Sequence, residues 1–235
     1  MLTSRTMVLL TMAAWSITAC KGGGDAGSEK SAQPGRPPLV QAKADAAVLK
    51  DSDLPDSWKR AAAADQLDEE ATWGALTTCL GIGNAGATQA VALGEVARAQ
   101  SPTHLTGQGT QVTSTVAYLA TDQEMRRVTG AFAGPQLDDC SQQALSRAVA
   151  AGAPEGATPG PVEVAPLDLP PSGDVTSAHR ATATVNVGGV KVPITMDYVV
   201  VFKGISISRL LFVNPGEPFP QDLQRSLVAK VAGRA

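Results

Sequence analysis

The chain has 235 residues, enough for one large domain or two small ones, and a formal net charge of −3. This near balance, with only 17% charged residues, excludes the basic surface of a nucleic-acid-binding protein. Aromatic residues make up 4% of the chain, which predicts a thin core that gains from a covalent cross-link.

The first residues have the layout of an export signal. Arg5 supplies a positive start, and an apolar stretch too short to span a membrane follows it to Ala19. The stretch ends in Ile17-Thr18-Ala19-Cys20, where an aliphatic and two small residues precede a cysteine. An ordinary cleavage site after a chance run of small residues is the alternative interpretation.

This run resembles the bacterial lipobox, the motif that directs lipidation. The resemblance implies a signal peptide over residues 1–19 and a mature chain that begins at Cys20, whose sulfur carries a diacylglycerol. More than one acyl chain (palmitate, for example) is enough for stable membrane anchoring. We therefore expect a lipid-anchored protein on the cell membrane or outer membrane, exposed outside the cytoplasm.

Cysteine counting supports export. Of three cysteines, Cys20 is the odd one, and Cys79 and Cys140 remain in the folded part. In an oxidising compartment we expect these two to form a disulfide, although two separately buried thiols are the alternative. Closing a loop of this length stabilises a fold by about 4 kcal/mol in the chain-entropy model.

The segment after Cys20 is of low complexity. Glycine, serine, proline and isolated charges fill it, and few side chains are apolar. Such a composition predicts a disordered tether over residues 20–47. A single envelope domain is expected over residues 48–235.

The first half of this domain mixes helices and strands. Acidic Asp68, Glu69 and Glu70 predict the first turn of a helix, because the helix dipole favours negative charge there. Thr121 and Glu124 form a capping box that begins another helix. The remaining predictions are a helix from Asp65 to Gly81, strands at 91–100 and 111–120, a helix after Pro135 and a strand at 161–169.

A three-stranded antiparallel meander is predicted over residues 182–214. Every even position from Val190 to Phe202 is apolar, and the second half is apolar on both faces and should be covered on both sides. Gly188-Gly189 and Lys203-Gly204 are the expected turns. This register places Pro193 opposite Thr184 on one side and Asn214 on the other, where the third strand ends.

Strands and helices in separate runs, closed by a helix after Pro220, predict an α+β fold with helices covering an antiparallel sheet. The chain has an early DLP…W segment (Asp53-Leu54-Pro55 and Trp58), one cysteine on each of two helices, and a closing strand–Gly–strand–helix unit. This layout resembles actinobacterial lipoproteins and kinase-sensor ectodomains of the LpqN type. The resemblance implies a PsbP-like sandwich and a binding or sensing role in the envelope. It carries over no binding residue.

Catalytic groups are few. The chain has two histidines, His104 in an expected loop and His179 at the start of a strand, and none of the common hydrolase, metal or nucleotide motifs. We therefore assign no catalytic, cofactor-binding or metal-binding residue and expect no cofactor. Asp197 and Arg209, on the wetter face of the meander, are the possible ligand-facing residues.

Three functions remain open at this point. The favoured one is a non-catalytic binding, sensor or accessory domain for a small apolar or lipid-like ligand, or for an envelope protein. The second is an envelope hydrolase, which needs a cleft that brings His104 or His179 within hydrogen-bond reach of a serine or an aspartate. The third is a structural lipoprotein whose sheet is filled by its own helices.

Overall fold

The structure is a computed structural model, and it describes residues 38–62, 67–83, 93–153 and 156–235. These residues belong to one compact unit and confirm the α+β class, with five α-helices and nine strands in one antiparallel sheet. The helices are α1 (Pro38–Ala47), α2 (Glu69–Cys79), α3 (Asp122–Phe132), α4 (Leu137–Ala151) and α5 (Gln221–Arg234). The strands are β1 (Lys59–Arg60), β2 (Glu95–Gln100), β3 (His104–Leu105), β4 (Gln111–Leu119), β5 (Thr158–Pro159), β6 (Glu163–Pro166), β7 (Val175–Val187), β8 (Val190–Lys203) and β9 (Ser206–Pro215).

The meander lies at the centre of the sheet. The strand order is β1-β3-β4-β9-β8-β7-β5, with β2 also paired to β4 and β6 also paired to β7. The predicted Gly188-Gly189 turn is confirmed, since Val187 faces Val190. The second turn is Gly204-Ile205 rather than Lys203-Gly204, because Lys203 faces Ser206. Gly204 has a φ of +55°, which a two-residue turn of this kind requires at its first position.

This shift of the turn corrects the register around Pro193. Thr184 faces Pro193 as predicted, but Asn214 faces Thr195 instead of Pro193. The β8–β9 ladder begins at Ile194 opposite Pro215, so no strand residue needs the N–H that proline lacks.

Each face of the sheet is packed by its own helices. We call the side covered by α2, α3 and α4 the disulfide face, and the side covered by α1 and α5 the terminal-helix face. Even positions of β8 from Met196 to Phe202 point to the disulfide face, whereas Val199 and Val201 point to the other. The prediction that this strand is covered on both sides is confirmed.

The predicted disulfide is present and joins two helices. Cys79 in the last turn of α2 is bonded to Cys140 in the first turn of α4, with 5.5 Å between the two Cα atoms. The capping box of Thr121 and Glu124 at the start of α3 is also confirmed.

The tether predicted over residues 20–47 extends too far. Its last ten residues form α1, whose Ala44 and Ala47 are fully buried against the sheet. Alanine has the highest helix propensity and fits close to a strand, so a segment with few large apolar residues can still pack. The predicted signal peptide and Cys20 lie outside the described residues.

Glutamine side chains cover the two outer edges of the sheet. Gln41 on α1 donates to the carbonyl of Arg98 on β2 and accepts from its N–H, at 2.8 and 3.3 Å. On the other side, Gln142 on α4 donates to the carbonyl of Val162 at 2.8 Å and accepts from the N–H of Val164 at 3.1 Å. A primary amide thus occupies the position that a further strand would take.

Candidate functional site

A buried polar cluster lies between α2 and the disulfide face of the sheet. Glu69, in the first turn of α2, is fully buried and accepts hydrogen bonds of 2.7 Å from the hydroxyls of Thr115 and Tyr198. The guanidinium Nε of Arg209 lies 3.2 Å from Glu69 Oε1. We call these four residues and Trp73 the Glu69 cluster.

Arg209 is held from two sides. Its guanidinium carbon lies 4.6 Å from the centre of the Trp73 ring, a cation–π distance. Its Nη2 donates to Glu70 Oε2 at 3.3 Å, and Glu70 also pairs with Arg98 of β2. The Glu69 cluster therefore fixes the N-terminal end of α2, while the disulfide fixes its C-terminal end.

Burial changes the acidity of the tyrosine in this cluster. The pKa of Tyr198 is raised well above its usual value, first by burial and then by the nearby negative charge of Glu69. Tyr198 consequently stays a neutral hydrogen-bond donor over the ordinary pH range. The cluster is chemically a structural ion network rather than an acid–base pair open to substrate.

A second charged group lies on the terminal-helix face. Asp197 is 1% exposed and accepts two hydrogen bonds from Arg180, at 2.6 and 2.7 Å. The side-chain amide of Gln224 on α5 donates to Asp197 Oδ2 at 2.9 Å. This group links β7, β8 and α5.

The structure thus separates the two residues predicted to face a ligand. Asp197 and Arg209 are both buried, on opposite faces of the sheet, and each has its own internal partners. The expectation of a common wetter face is wrong, because polar side chains at these positions are covered by helices that carry matching partners. Strand alternation does not reveal such partners, since Glu69 lies 140 residues away from Arg209 in the sequence.

Both histidines are paired with aspartates. His104 lies in β3 rather than in a loop, is 2% exposed, and its Nε2 lies 2.9 Å from Asp51 Oδ1. His179 Nε2 lies 3.1 Å from Asp138 Oδ1. Neither histidine lines either of two open cavities at the surface, and no serine or cysteine bonds to either ring among the described residues. An aspartate is within hydrogen-bond reach of each histidine, as a hydrolase would need, but neither ring lines one of these cavities, so the arrangement does not favour a hydrolase.

Two open cavities lie at the surface. One, of about 450 Å³, is lined by Asp68, Glu70, Gln100, Ser101 and Leu67 beside the Glu69 cluster. Its carboxylates already have partners, because Asp68 caps α2 and Glu70 pairs with Arg98.

The second cavity, of about 380 Å³, lies where α1 and α5 meet the β8–β9 turn. We call it the Tyr118 cavity; its side chains come from Lys43, Tyr118, Lys203 and Arg234, with residues 204–206 and Ala235 completing the wall. No acidic side chain lines it.

Comparison with known proteins gives no relative: no protein family, curated protein or solved structure matches the chain. In the described ranges, no helix is long and apolar enough to cross a membrane. Nor do those ranges contain a group of three or more histidine, cysteine or acidic side chains suited to a metal ion.

Proposed function

We propose that the chain is an exported, lipid-anchored envelope protein whose folded part binds a partner and does not catalyse a reaction. The observation that carries the proposal is the Cys79–Cys140 disulfide. Disulfides of this kind are typical of oxidising compartments, so the bond supports export. It also leaves Cys20, at the end of the lipobox-like run, as the cysteine without a partner in the folded domain.

The polar chemistry of the fold supports a non-catalytic role. Glu69, Arg209 and Asp197 are buried in ion pairs that join elements of the fold, and both histidines are paired with aspartates. Each of these groups has a structural partner, and none projects into a described cavity with a nucleophile. Helices fill both sheet faces, which is also the arrangement expected of a structural lipoprotein. A binding role therefore has to use the outer surface of the domain.

Membrane fractionation of cells that express the full chain tests the anchor. The wild type should be recovered with membranes and released only by detergent, whereas Cys20→Ala should leave the membrane fraction. Ser28→Ala, a small change in the same N-terminal region, is the matched control and should behave as wild type. Equal release of wild type and Cys20→Ala would overturn the anchor.

Crosslinking in intact cells, followed by detergent extraction and native mass spectrometry, tests binding. The proposal predicts a reproducible adduct, either a small molecule or an envelope protein. An extracted chain with neither adduct would favour a structural lipoprotein without a ligand.

A further inference from the structure

Two lysine ammonium groups in the wall of the Tyr118 cavity keep N–H groups that no described residue accepts. Lys43 on α1 makes no ion pair or hydrogen bond with any described residue. Lys203 donates to the carbonyls of Ala232 and Gly233 in the last turn of α5, at 3.0 and 3.5 Å, which leaves one of its three ammonium N–H groups for a ligand. Because Lys203 bonds to these carbonyls, its ammonium group compensates their partial negative charge in the cavity wall.

Arg234 belongs to the structure rather than to the ligand site. Its guanidinium pairs with Asp53 at 2.8 Å and donates to the carbonyls of Ala47 and Val48. These bonds join the end of α5 to the end of α1. The uncommitted charge in the cavity therefore comes from Lys43 and Lys203.

Tyr118 supplies an independent observation. The residue is 7% exposed, its ring packs in the core of the terminal-helix face, and its hydroxyl has no hydrogen-bond partner among the described residues. Burial raises the pKa of Tyr118, so the phenol stays a neutral donor. The ring is buried but the unpaired hydroxyl oxygen is not, so the hydroxyl opens to the cavity that Tyr118 lines, and an acceptor in the cavity can bond to it.

We propose that the Tyr118 cavity binds a phosphate-type anion, either the headgroup of an anionic lipid or a free phosphate ester. Two ammonium groups and a phenol hydroxyl supply charge-assisted hydrogen bonds to phosphate oxygens, which are the strong kind. The cavity, with a volume of about 380 Å³, is large enough to hold a phosphate ester.

The position of the cavity makes a lipid source reachable. The first turns of α1, where the described chain begins at Pro38, lie against β2 and the cavity, since Gln41 bonds to Arg98 and Lys43 lines the wall. Positions 21–37 link this end to Cys20, and a chain of that length spans at most about 60 Å. The lipid source rests on the proposed anchoring, whereas the anion site itself does not.

The test uses the full chain with Cys20→Ser, so that no acyl anchor contributes to binding. In calorimetric titration with glycerol 3-phosphate, Lys43→Ala and Tyr118→Phe should each weaken binding about tenfold, the effect of losing one hydrogen bond to a charged group. Lys191→Ala is the matched control, because it removes the same charge at the opposite end of β8. Thermal unfolding should show that all three variants are folded.

Cosedimentation with vesicles identifies the source of the phosphate. Binding to phosphatidylglycerol vesicles but not to phosphatidylcholine vesicles, lost in Lys43→Ala and kept in Lys191→Ala, would show a lipid headgroup. Glycerol 3-phosphate binding without vesicle binding would show a soluble phosphate ester. No binding of either probe, or equal loss in Lys43→Ala and Lys191→Ala, would overturn the anion site while leaving the Cys20 result untouched.

Discussion

At the residue scale, Glu69 is the side chain that the polar interior depends on most. It is fully buried, and its carboxylate is satisfied by Thr115, Tyr198 and Arg209. Removing one partner of a buried ion pair leaves the other charged and unsatisfied. The resulting loss in free energy of unfolding is larger than the net stabilisation that the intact pair provides.

We predict that Glu69→Ala lowers the free energy of unfolding by about 3–5 kcal/mol, because the buried Arg209 loses its buried carboxylate and keeps the more distant one of the partly exposed Glu70. Glu163→Ala, at an exposed strand position, is the control and should change it by less than about 0.5 kcal/mol. Urea denaturation measures both. A loss below about 1 kcal/mol for Glu69→Ala would show that the Glu69 cluster does not stabilise the fold.

Tyr198→Phe separates the hydroxyl from the rest of the cluster. The variant removes one hydrogen bond to Glu69 but keeps the ring in the core and the Arg209 pair. We expect a loss of about 1–2 kcal/mol in the same denaturation experiment, since one bond to a charged group is lost. A loss as large as that of Glu69→Ala would contradict the division of roles within the cluster.

Asp51 makes stability depend on pH. Its hydrogen bond from Arg60, followed by that with His104, lowers the pKa of Asp51 from 3.8 to about 2. A carboxyl whose pKa is lower in the folded state contributes stability above its unfolded pKa and loses it as pH falls through the folded pKa. This contribution is therefore present above about pH 4 and is lost between about pH 4 and pH 2.

Asp51→Asn should thus reduce the fall in stability between about pH 4 and pH 2, as measured by denaturant unfolding at a series of pH values. The slope should decrease but not vanish, because Asp53 also loses stabilising interactions as the pH falls. Burial acts to raise the pKa of Asp53, but the opposing interactions, of which the hydrogen bond from Arg234 is the largest, together outweigh it and the pKa is lowered overall. Asp56→Asn, at a position without a described ion pair, should leave the slope unchanged. An unaltered slope in Asp51→Asn would rule out this role.

At the element scale, the two edge glutamines explain how a large open sheet stays unpaired at its sides. An exposed strand edge invites pairing with another chain, and natural proteins block it with particular side chains. Gln41 and Gln142 do so from α1 and α4, and Pro166 removes a further donor from the edge of β6.

We predict that Gln41→Ala and Gln142→Ala promote self-association, since each frees a backbone donor and acceptor on an edge strand. Sedimentation velocity at increasing concentration should show dimers or larger species that wild type lacks. Gln143→Ala, at an exposed position next to Gln142 on α4, is the control and should sediment as wild type. Monomeric behaviour of both edge variants would mean that the edges are protected by other features.

Local patterns predicted the meander, the capping box of Thr121 and the disulfide, because alternation, capping spacing and cysteine parity are properties of short stretches or simple counts. The second turn was misplaced by one residue, since Lys-Gly and Gly-Ile turns differ only in which position glycine takes. The Glu69 cluster, both edge glutamines and the Tyr118 cavity depend on residues far apart in the sequence. No local pattern indicates such contacts. Helix α1 was not predicted because its buried residues are small alanines in a segment of otherwise low complexity.

At the scale of the whole molecule, the fold is a sheet held between two helical layers, with its charged side chains used to join the layers. The disulfide and the Glu69 cluster fix the two ends of α2, and Asp197 and Arg234 tie α5 to the sheet and to the segment after α1. In the sequence, the described domain follows the proposed anchor at Cys20 and positions 21–37. This order suits a domain that acts at a membrane surface.

The proposed function requires that one exported chain carry both a lipid on Cys20 and a Cys79–Cys140 disulfide. Peptide mass spectrometry of the full chain purified from membranes, without reduction, tests both modifications at once. We expect an N-terminal peptide that begins at an acylated Cys20, together with a disulfide-linked pair of peptides containing Cys79 and Cys140. An unmodified Cys20 within an uncleaved N-terminus, or free thiols at Cys79 and Cys140, would contradict it.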